Sequence, residues 1–447
     1  MHNQLLVPRR SLRMLRVALS ILFAGLVLAV FCFGVAIAQA PPDLPETVGY
    51  NPLVADIIAQ VTTPTLAYEM EGLTGERPVT VAGISYTIAT RNSYRVQAIS
   101  MTTRYAYEWL ATTGLSVTYH NYTWGSYNWR NVVAEKPGLV DPDEVYLITA
   151  HIDDMPNSSN APGADDNASG SVAVMLAARL LAERPLAYTV RFVLFTGEEQ
   201  GLRGSAAYAA DCVAHGEDIR GVINLDMVAY NSDALPIIDL YASSSVPGSM
   251  ELTRIFSNVI GVYSLDLVPE RFDVPSGFPI QYSDQWHFLQ QGYPAFLAIE
   301  DLSDETPYYH TSQDALATLD LDYYADFTRA AIATLVHLSG LFPDVGWGQV
   351  SGTVNDLEAG QPLPGATVST FWPVDCYTFT ATADAGGVYT LSLPVGAYTL
   401  TVWADSPPYY STVITDVSVA TETVTMQSFT LAPWPRQYFP MIAYDDD

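Results

Sequence analysis

Short apolar runs alternate with helix-patterned stretches through the first three quarters of the chain. Val145 to Ala150 (VYLITA), Tyr188 to Thr196 (YTVRFVLFT), Gly221 to Leu225, Pro236 to Tyr241 and Pro294 to Ile299 read as buried strands. Between and around them, Ser100 to Thr113 reads as an amphipathic helix and Ser171 to Glu183 as an alanine-rich one. A third helix is expected near Met250 to Ile260, and a long apolar-faced one from Leu321 to Leu341. Strands alternating with helices predict an α/β domain, a mostly parallel mixed sheet flanked by helices. Tyr119 to Trp129 is expected as an edge strand and loop, and Pro41 to Pro64 as a proline-containing lead-in.

After Phe342-Pro343-Asp344 the pattern changes. Threonine, valine and tyrosine alternate, turn signals stand at Pro364-Gly365, Asp384 to Gly387 and Pro394 to Gly396, and helix signals vanish. Short strands at such spacing predict a second, smaller all-β sandwich. The organisation expected is a signal peptide or membrane anchor at 1–40, a lead-in at 41–64, the α/β domain at 65–343, the sandwich at 348–432 and a tail at 433–447.

Composition narrows the setting. With 447 residues, 49% hydrophobic and 15% charged, the chain can bury sizeable cores. Its 19 basic and 48 acidic residues give a formal charge of −29, and Lys136 is the only lysine. Such a surface repels nucleic acid and anionic membrane, so neither is an expected partner. Arg9, Arg10, Arg13 and Arg16 precede an apolar run from Val17 to Ile37 with small-residue cleavage sites before Ala40, the pattern of a secretory signal. An uncleaved anchor is the competing reading, and only then would the protein be at a membrane. Both readings place the domains outside the cytoplasm. Cys212 and Cys376 fall in different domains and are not expected to pair.

The chemistry lies at the ends of the strands. His151 closes the first apolar run, Asp166 follows in the break Gly163 to Gly170, Glu198 and Glu199 follow the second, Asp226 the third, and His310 comes after the last. Singly, each has a plain structural reading: a satisfied histidine, a helix cap, solvated loop charges. Together they are a ligand set for two zinc ions, which take imidazole nitrogen and carboxylate oxygen. Two ions with three protein donors each need six contacts from five residues, so one carboxylate must bridge. Two such ions can share a hydroxide, and Glu198, beside Glu199, is the natural proton acceptor for it. His120, His215, His287 and His337 are read as structural.

The motifs HID at 151–153, GADDNASG at 163–170, TGEEQGLRGS at 196–205, NLDM at 224–227, YSD at 282–284 and YHTSQD at 309–314 resemble the zinc-dependent M28 aminopeptidases. EGLTGERP at 71–78, RNSYR at 91–95 and RNVVAEKPG at 130–138 extend the resemblance, which covers about residues 65 to 340. GTVND at 352–356, PLPGATV at 362–368 and DAGGVYTLSLPVGAYTLTV at 384–402 resemble the carboxypeptidase regulatory-like, transthyretin-like family. The first resemblance implies a zinc-exopeptidase fold with Asp166 bridging, His151 and Asp226 completing one zinc, and Glu199 and His310 the other. It further implies Glu198 as general base and then acid, and Asp153 hydrogen-bonded to the second nitrogen of His151. Gln285 departs from the pattern, since the family often shows a histidine after the Ser-Asp pair.

The resulting expectation is a secreted di-zinc aminopeptidase acting on peptide or protein N-termini, with the proline-rich loop before Gln281 as pocket wall. A carboxypeptidase or dipeptidase on the same scaffold is the alternative, and would need Arg203 or Arg271 to hold a substrate carboxylate. A non-catalytic binding module is the remaining one.

Overall fold

The computed structural model describes residues 44–434 except 234, 344, 373–376 and 406–408. The expected export segment, Cys376 and nearly all of the tail therefore lie outside the described residues. Among the described residues no helix is long and apolar enough to cross a membrane.

Two helices, α1 (Pro52–Ile58) and α2 (Thr63–Leu73), precede a small hairpin of β1 (Val79–Val81) and β2 (Ile84–Tyr86). Helix α1 and the start of α2 fall within the stretch expected as a lead-in at 41–64. Val54, Ile57, Ile58 and Val61 are buried in the main core, so the helical segment packs into the α/β body. Its prolines mark helix starts: Pro52 and Pro64 occupy the first turn, where a missing N–H costs nothing, behind the caps Asn51 and Thr62.

Helix α3 (Val96–Ala111) leads into a hairpin of β3 (Ser116–Trp124) and β4 (Tyr127–Lys136), so Trp129 stands on a strand and not in a loop. Then come β5 (Asp141–His151), α4 (Gly170–Leu181), β6 (Tyr188–Phe195), α5 (Arg203–His215), β7 (Asp218–Leu225) and β8 (Ile237–Ala242). They are followed by α6 (Ser249–Tyr263), β9 (Val268–Asp273), α7 (Gln285–Gln290), β10 (Ala295–Glu300) and α8 (Leu321–Ser339). The eight-stranded sheet runs β3-β4-β6-β5-β7-β10-β8-β9. Its four central strands β6, β5, β7 and β10 are mutually parallel, while β4 and β8 run antiparallel to their neighbours β6 and β10. This is the expected mixed α/β sheet, its faces covered by two apolar cores. Strand β9, expected as part of a proline-rich loop, pairs parallel with β8; an edge strand needs only one partner and tolerates Pro269 and its exposed charges.

The second module is the expected sandwich. One sheet has the order β14-β11-β17, with β18 also on β11, and the other β13-β12-β15-β16. Their ranges are β11 Trp347–Asp356, β12 Thr367–Trp372, β13 Tyr377–Thr382, β14 Val388–Pro394, β15 Gly396–Trp403, β16 Thr412–Val419, β17 Val424–Met426 and β18 Phe429–Leu431. Burial alternates along β11, β14 and β15, the period-two signature of inner and outer faces. Ala187, just before β6, and Phe342, just after α8, are part of the sandwich core.

Candidate metal centre

Because β5, β6, β7 and β10 are parallel, their C-terminal ends share one rim, the edge at which open α/β sheets take ligands. His151 is the last residue of β5, Glu198 and Glu199 follow β6, Asp226 follows β7, and the segment after β10 carries His310. Asp166 sits in the kinked turn Ala164–Ser169 before α4. The structure brings these side chains together. His151 Nε2 is 3.2 Å from Asp166 Oδ1 and 3.2 Å from Asp226 Oδ1, while His310 Nε2 is 3.2 Å from Asp166 Oδ2 and 2.9 Å from Glu199 Oε2. The two oxygens of Asp166 thus face two different histidines. Ligand atoms of His151, Glu198 and Asp226 lie within 4.8 Å of one another, as do those of His151, Asp166 and Glu199. His310, with a third of its side chain exposed, marks the open side.

The donor set fits zinc. Two imidazoles and four carboxylates converge, and Glu199 Oε1 is buried without a hydrogen-bond partner, an orphaned acceptor that only a cation or a proton donor would satisfy. The electrostatics agree. Burial alone would lower His151, but the carboxylates of Asp226, Glu198 and Asp166 push it well above the usual histidine range. Burial likewise opposes the rise of His310, which its bonds to Asp166 and Glu199 carry to about 10. Asp166 moves the other way, its burial penalty overcome by the two histidines. Glu199 is pushed up to about 8, mainly by burial and then by Asp166. A site with this excess of buried acid calls for positive charge.

The supporting contacts differ in one respect from expectation. His151 Nδ1 lies 3.1 Å from the main-chain carbonyl of Asp153, while the Asp153 carboxylate is 3.8 Å away. Two residues along the chain, the carbonyl is within reach of the ring and fixes its tautomer. The carboxylate instead accepts from Ser93 Oγ (3.1 Å) and from the Glu198 amide (3.3 Å), tying β5 to the loop that carries the two glutamates. Ser283 Oγ donates to Asp226 Oδ2 at 2.6 Å and accepts from Asn224, whose amide also reaches Gln285 Oε1 at 3.1 Å. Gln285, the departure from the family pattern, is thereby part of the Asp226 support.

Two supporting residues were quoted within motifs but given no role by the sequence. Arg91 is fully buried and donates to the carbonyls of Ile152, Leu73, Pro162 and Gly163, clamping the segments that carry His151 and Asp166. Asp314 accepts the amides of Asp165 (2.8 Å) and Asp166 (3.0 Å), joining the His310 loop to the Asp166 turn. A histidine followed four residues later by an unassigned aspartate was the available signal. Asp314→Ala strands two buried amides; it should weaken zinc binding by about 10–100-fold, the usual cost of losing such support. Competition with a chromogenic chelator measures this, and unchanged affinity would remove Asp314 from that role.

Buried acids also set a pH dependence. Burial raises Asp154 to about 7 despite Arg91, and Asp284 to about 7 despite His151. Each folded value lies above the unfolded one near 4, so the folded state holds protons that the unfolded state releases. Their stabilising contribution is complete below about pH 4 and is lost as pH rises through about 7. Chelator-treated protein should melt at a lower temperature at pH 8 than at pH 5; the reverse order would contradict this assignment.

The remaining polar residues lie elsewhere. His120 bonds Asn131 and Asp211, His215 the Asp211 carbonyl, and His337 the Tyr263 hydroxyl. His287 belongs to α7, outside the cluster. Arg271 is committed to Thr253 and Met250 on α6, and Arg203 stacks on Trp124 while donating to the Gln200 carbonyl. Cys212 is a buried free thiol, its pKa pushed up to about 12 by burial. The loop before Gln281 ends in two exposed rings, Phe278 and Tyr282, 5.5 Å apart beside Ser283.

Residues 131–335 match the model of peptidase family M28, and residues 349–432 that of the carboxypeptidase regulatory-like domain. Leucine aminopeptidase 1 of Trichophyton rubrum is 30% identical over 226 residues, 47% of this chain and 58% of that protein. Leucine aminopeptidase 1 of Ajellomyces dermatitidis is 28% identical over 240 residues, 50% of this chain and 58% of that protein. The chain spans less than two thirds of the length of the relatives it matches. Among solved structures, the LapA aminopeptidase of Legionella pneumophila aligns with a TM-score of 0.55 at 18% identity, covering 68% of this chain and 78% of that one. Glutaminyl cyclase of Fimbriiglobus ruber aligns at 0.51 and 17% identity, covering 67% and 99%. These last two likenesses are of fold.

Proposed function

From a chain that carries an M28 peptidase domain at 131–335 and a carboxypeptidase regulatory-like domain at 349–432, we propose a secreted di-zinc aminopeptidase that removes the first residue of peptides. The observation that carries the reading is Asp166, with one oxygen 3.2 Å from His151 and the other 3.2 Å from His310. A carboxylate so placed could serve two cations at once. His151 and Asp226 would complete one site, Glu199 and His310 the other. What zinc supplies at such a site is Lewis acidity, which acidifies water and polarises a substrate carbonyl.

The chain's own groups do the rest. Glu198, half-buried beside His151 and Asp226, takes the proton of the attacking water and returns it to the departing amine. Burial first, then Glu199 and Asp226, raise its proton affinity well above that of an ordinary glutamate. A carboxylate so tuned can hold a proton between the two steps. Action at N-termini is supported by the relatives, among them two proteins named leucine aminopeptidase 1. The signal-like segment at 1–40 supports export.

Purified protein should carry about two zinc ions per chain, read by elemental analysis. A panel of aminoacyl chromogenic amides, with amino-blocked and carboxyl-blocked dipeptides beside it, tests the activity. Cleavage of carboxyl-blocked but not amino-blocked substrates is expected. The opposite preference would replace the aminopeptidase by a carboxypeptidase, and absence of both zinc and turnover would sink the reading.

A further inference from the structure

Arg130, on β4, has no carboxylate partner among the described residues, although acids outnumber bases 48 to 19 in this chain. Its guanidinium is nevertheless held firmly. It stacks 3.9 Å from the Tyr119 ring centroid, donates from Nε to Thr103 Oγ1 at 2.9 Å, and from Nη2 to the Ser100 carbonyl at 2.9 Å. A planar cation fixed on one edge by a helix offers its remaining edge without further ordering.

That side chain lines a cavity of about 400 Å³ between α3 and the β3–β4 hairpin, within the range of small-molecule sites. None of the six metal-centre residues lines it. Val96 and Ile99 of α3 and the Trp129 ring give it apolar surface, and Ser100 and Thr103 give it hydroxyls. Helix α3 opens here without a side-chain cap at Arg95, so its positive end adds to the field of Arg130. We propose that this cavity is a second ligand site, for a monoanionic organic carboxylate with an apolar body. One fixed guanidinium matches one carboxylate, and the apolar wall matches a hydrophobic or aromatic side chain. Free hydrophobic amino acids and the C-termini of peptides both have this chemistry.

The site touches the glutamate loop. A Cβ at Gly197 would meet the Trp129 ring at 2.9 Å and the Tyr122 hydroxyl at 3.0 Å, so both cavity residues pack directly against the residue before Glu198. Tyr122 also bonds Thr196 Oγ1 at 2.9 Å, and Thr196 lines the cavity. The binding claim goes beyond the hydrolase reading and stands without it.

The test is calorimetric titration of the full chain with N-acetyl-L-phenylalanine and, separately, with its carboxamide. The acid should bind at least about tenfold more tightly than the amide, the scale of a charge-assisted hydrogen bond. Arg130→Gln should abolish that difference. Val96→Trp, at an exposed position on the rim, should block binding without touching the Arg130 contacts, and decides the matter if the first variant does not fold. Equal binding of acid and amide, or acid binding that survives Val96→Trp, overturns the proposal and moves any binding to the metal centre. The source of the carboxylate is read from peptides with free or amidated C-termini. A KM several-fold higher for amidated peptides assigns the site to the substrate's own end, and an unchanged KM assigns it to a free acid.

Discussion

Glu198→Ala should retain close to the native zinc content while losing about 10²–10⁴-fold in kcat, the usual contribution of a positioned acid–base group. The two adjacent glutamates make the comparison sharp. Glu199 Oε2 is 2.9 Å from His310 Nε2, so Glu199→Ala should lose metal as well as turnover. The amide of Glu198, by contrast, is anchored by Asp153 Oδ1, and its carboxylate stands beside His151 and Asp226. Elemental analysis and hydrolysis of an aminoacyl chromogenic amide, run on both variants, separate the two roles. Undiminished turnover in Glu198→Ala would remove it from the mechanism, and loss of zinc in that variant would make it a ligand.

Arg91→Met should destabilise the protein by about 3–5 kcal/mol, the cost of breaking a buried charged network from one side. Three main-chain carbonyls, of Leu73, Ile152 and Pro162, would lose their donor, the Gly163 carbonyl would keep only the Ala168 amide, and Asp154, whose Oδ2 is 3.6 Å from Nη1, would be left buried without its counter-charge. Against a domain stability of about 5–15 kcal/mol, such a loss is a large share of the total. Urea unfolding measures it. A variant within about 1 kcal/mol of the native protein, the scale of an ordinary substitution, would show that the carbonyls find other donors.

Much of this architecture could be read from the chain. Uninterrupted apolar runs bounded by glycine and charge are the mark of strands covered on both faces, which is why β5, β6, β7 and β10 were legible. So were polar residues at the far ends of those runs. What escaped depended on partners distant in sequence. Pro52 and Pro64 looked like breaks because the same residue starts a helix or ends a strand, and only the packing of Val54 and Ile57 decides which. Strand β9 has exposed charges on both faces and no apolar run, so nothing local marked it. The tautomer of His151 is set by a carbonyl, which every residue has, and no residue type betrays it. Arg91 reaches from position 91 to carbonyls at 152, 162 and 163, a clamp that exists only once the sheet has formed.

The seam between the modules has a consequence for what the α/β body would be without its β-sandwich. The Ala187 amide bonds the carbonyls of Ser339 and Gly340, and a Cβ at Gly340 would stand only 2.9 Å from the Ala187 methyl. Phe342, fully buried, lies 4.9 Å from the Tyr377 ring and 5.1 Å from that of Trp347. Loss of the sandwich would strip a greasy face bare at the foot of β6, the strand that leads into both glutamates. The β-module covers that face, and shedding it would invite clumping.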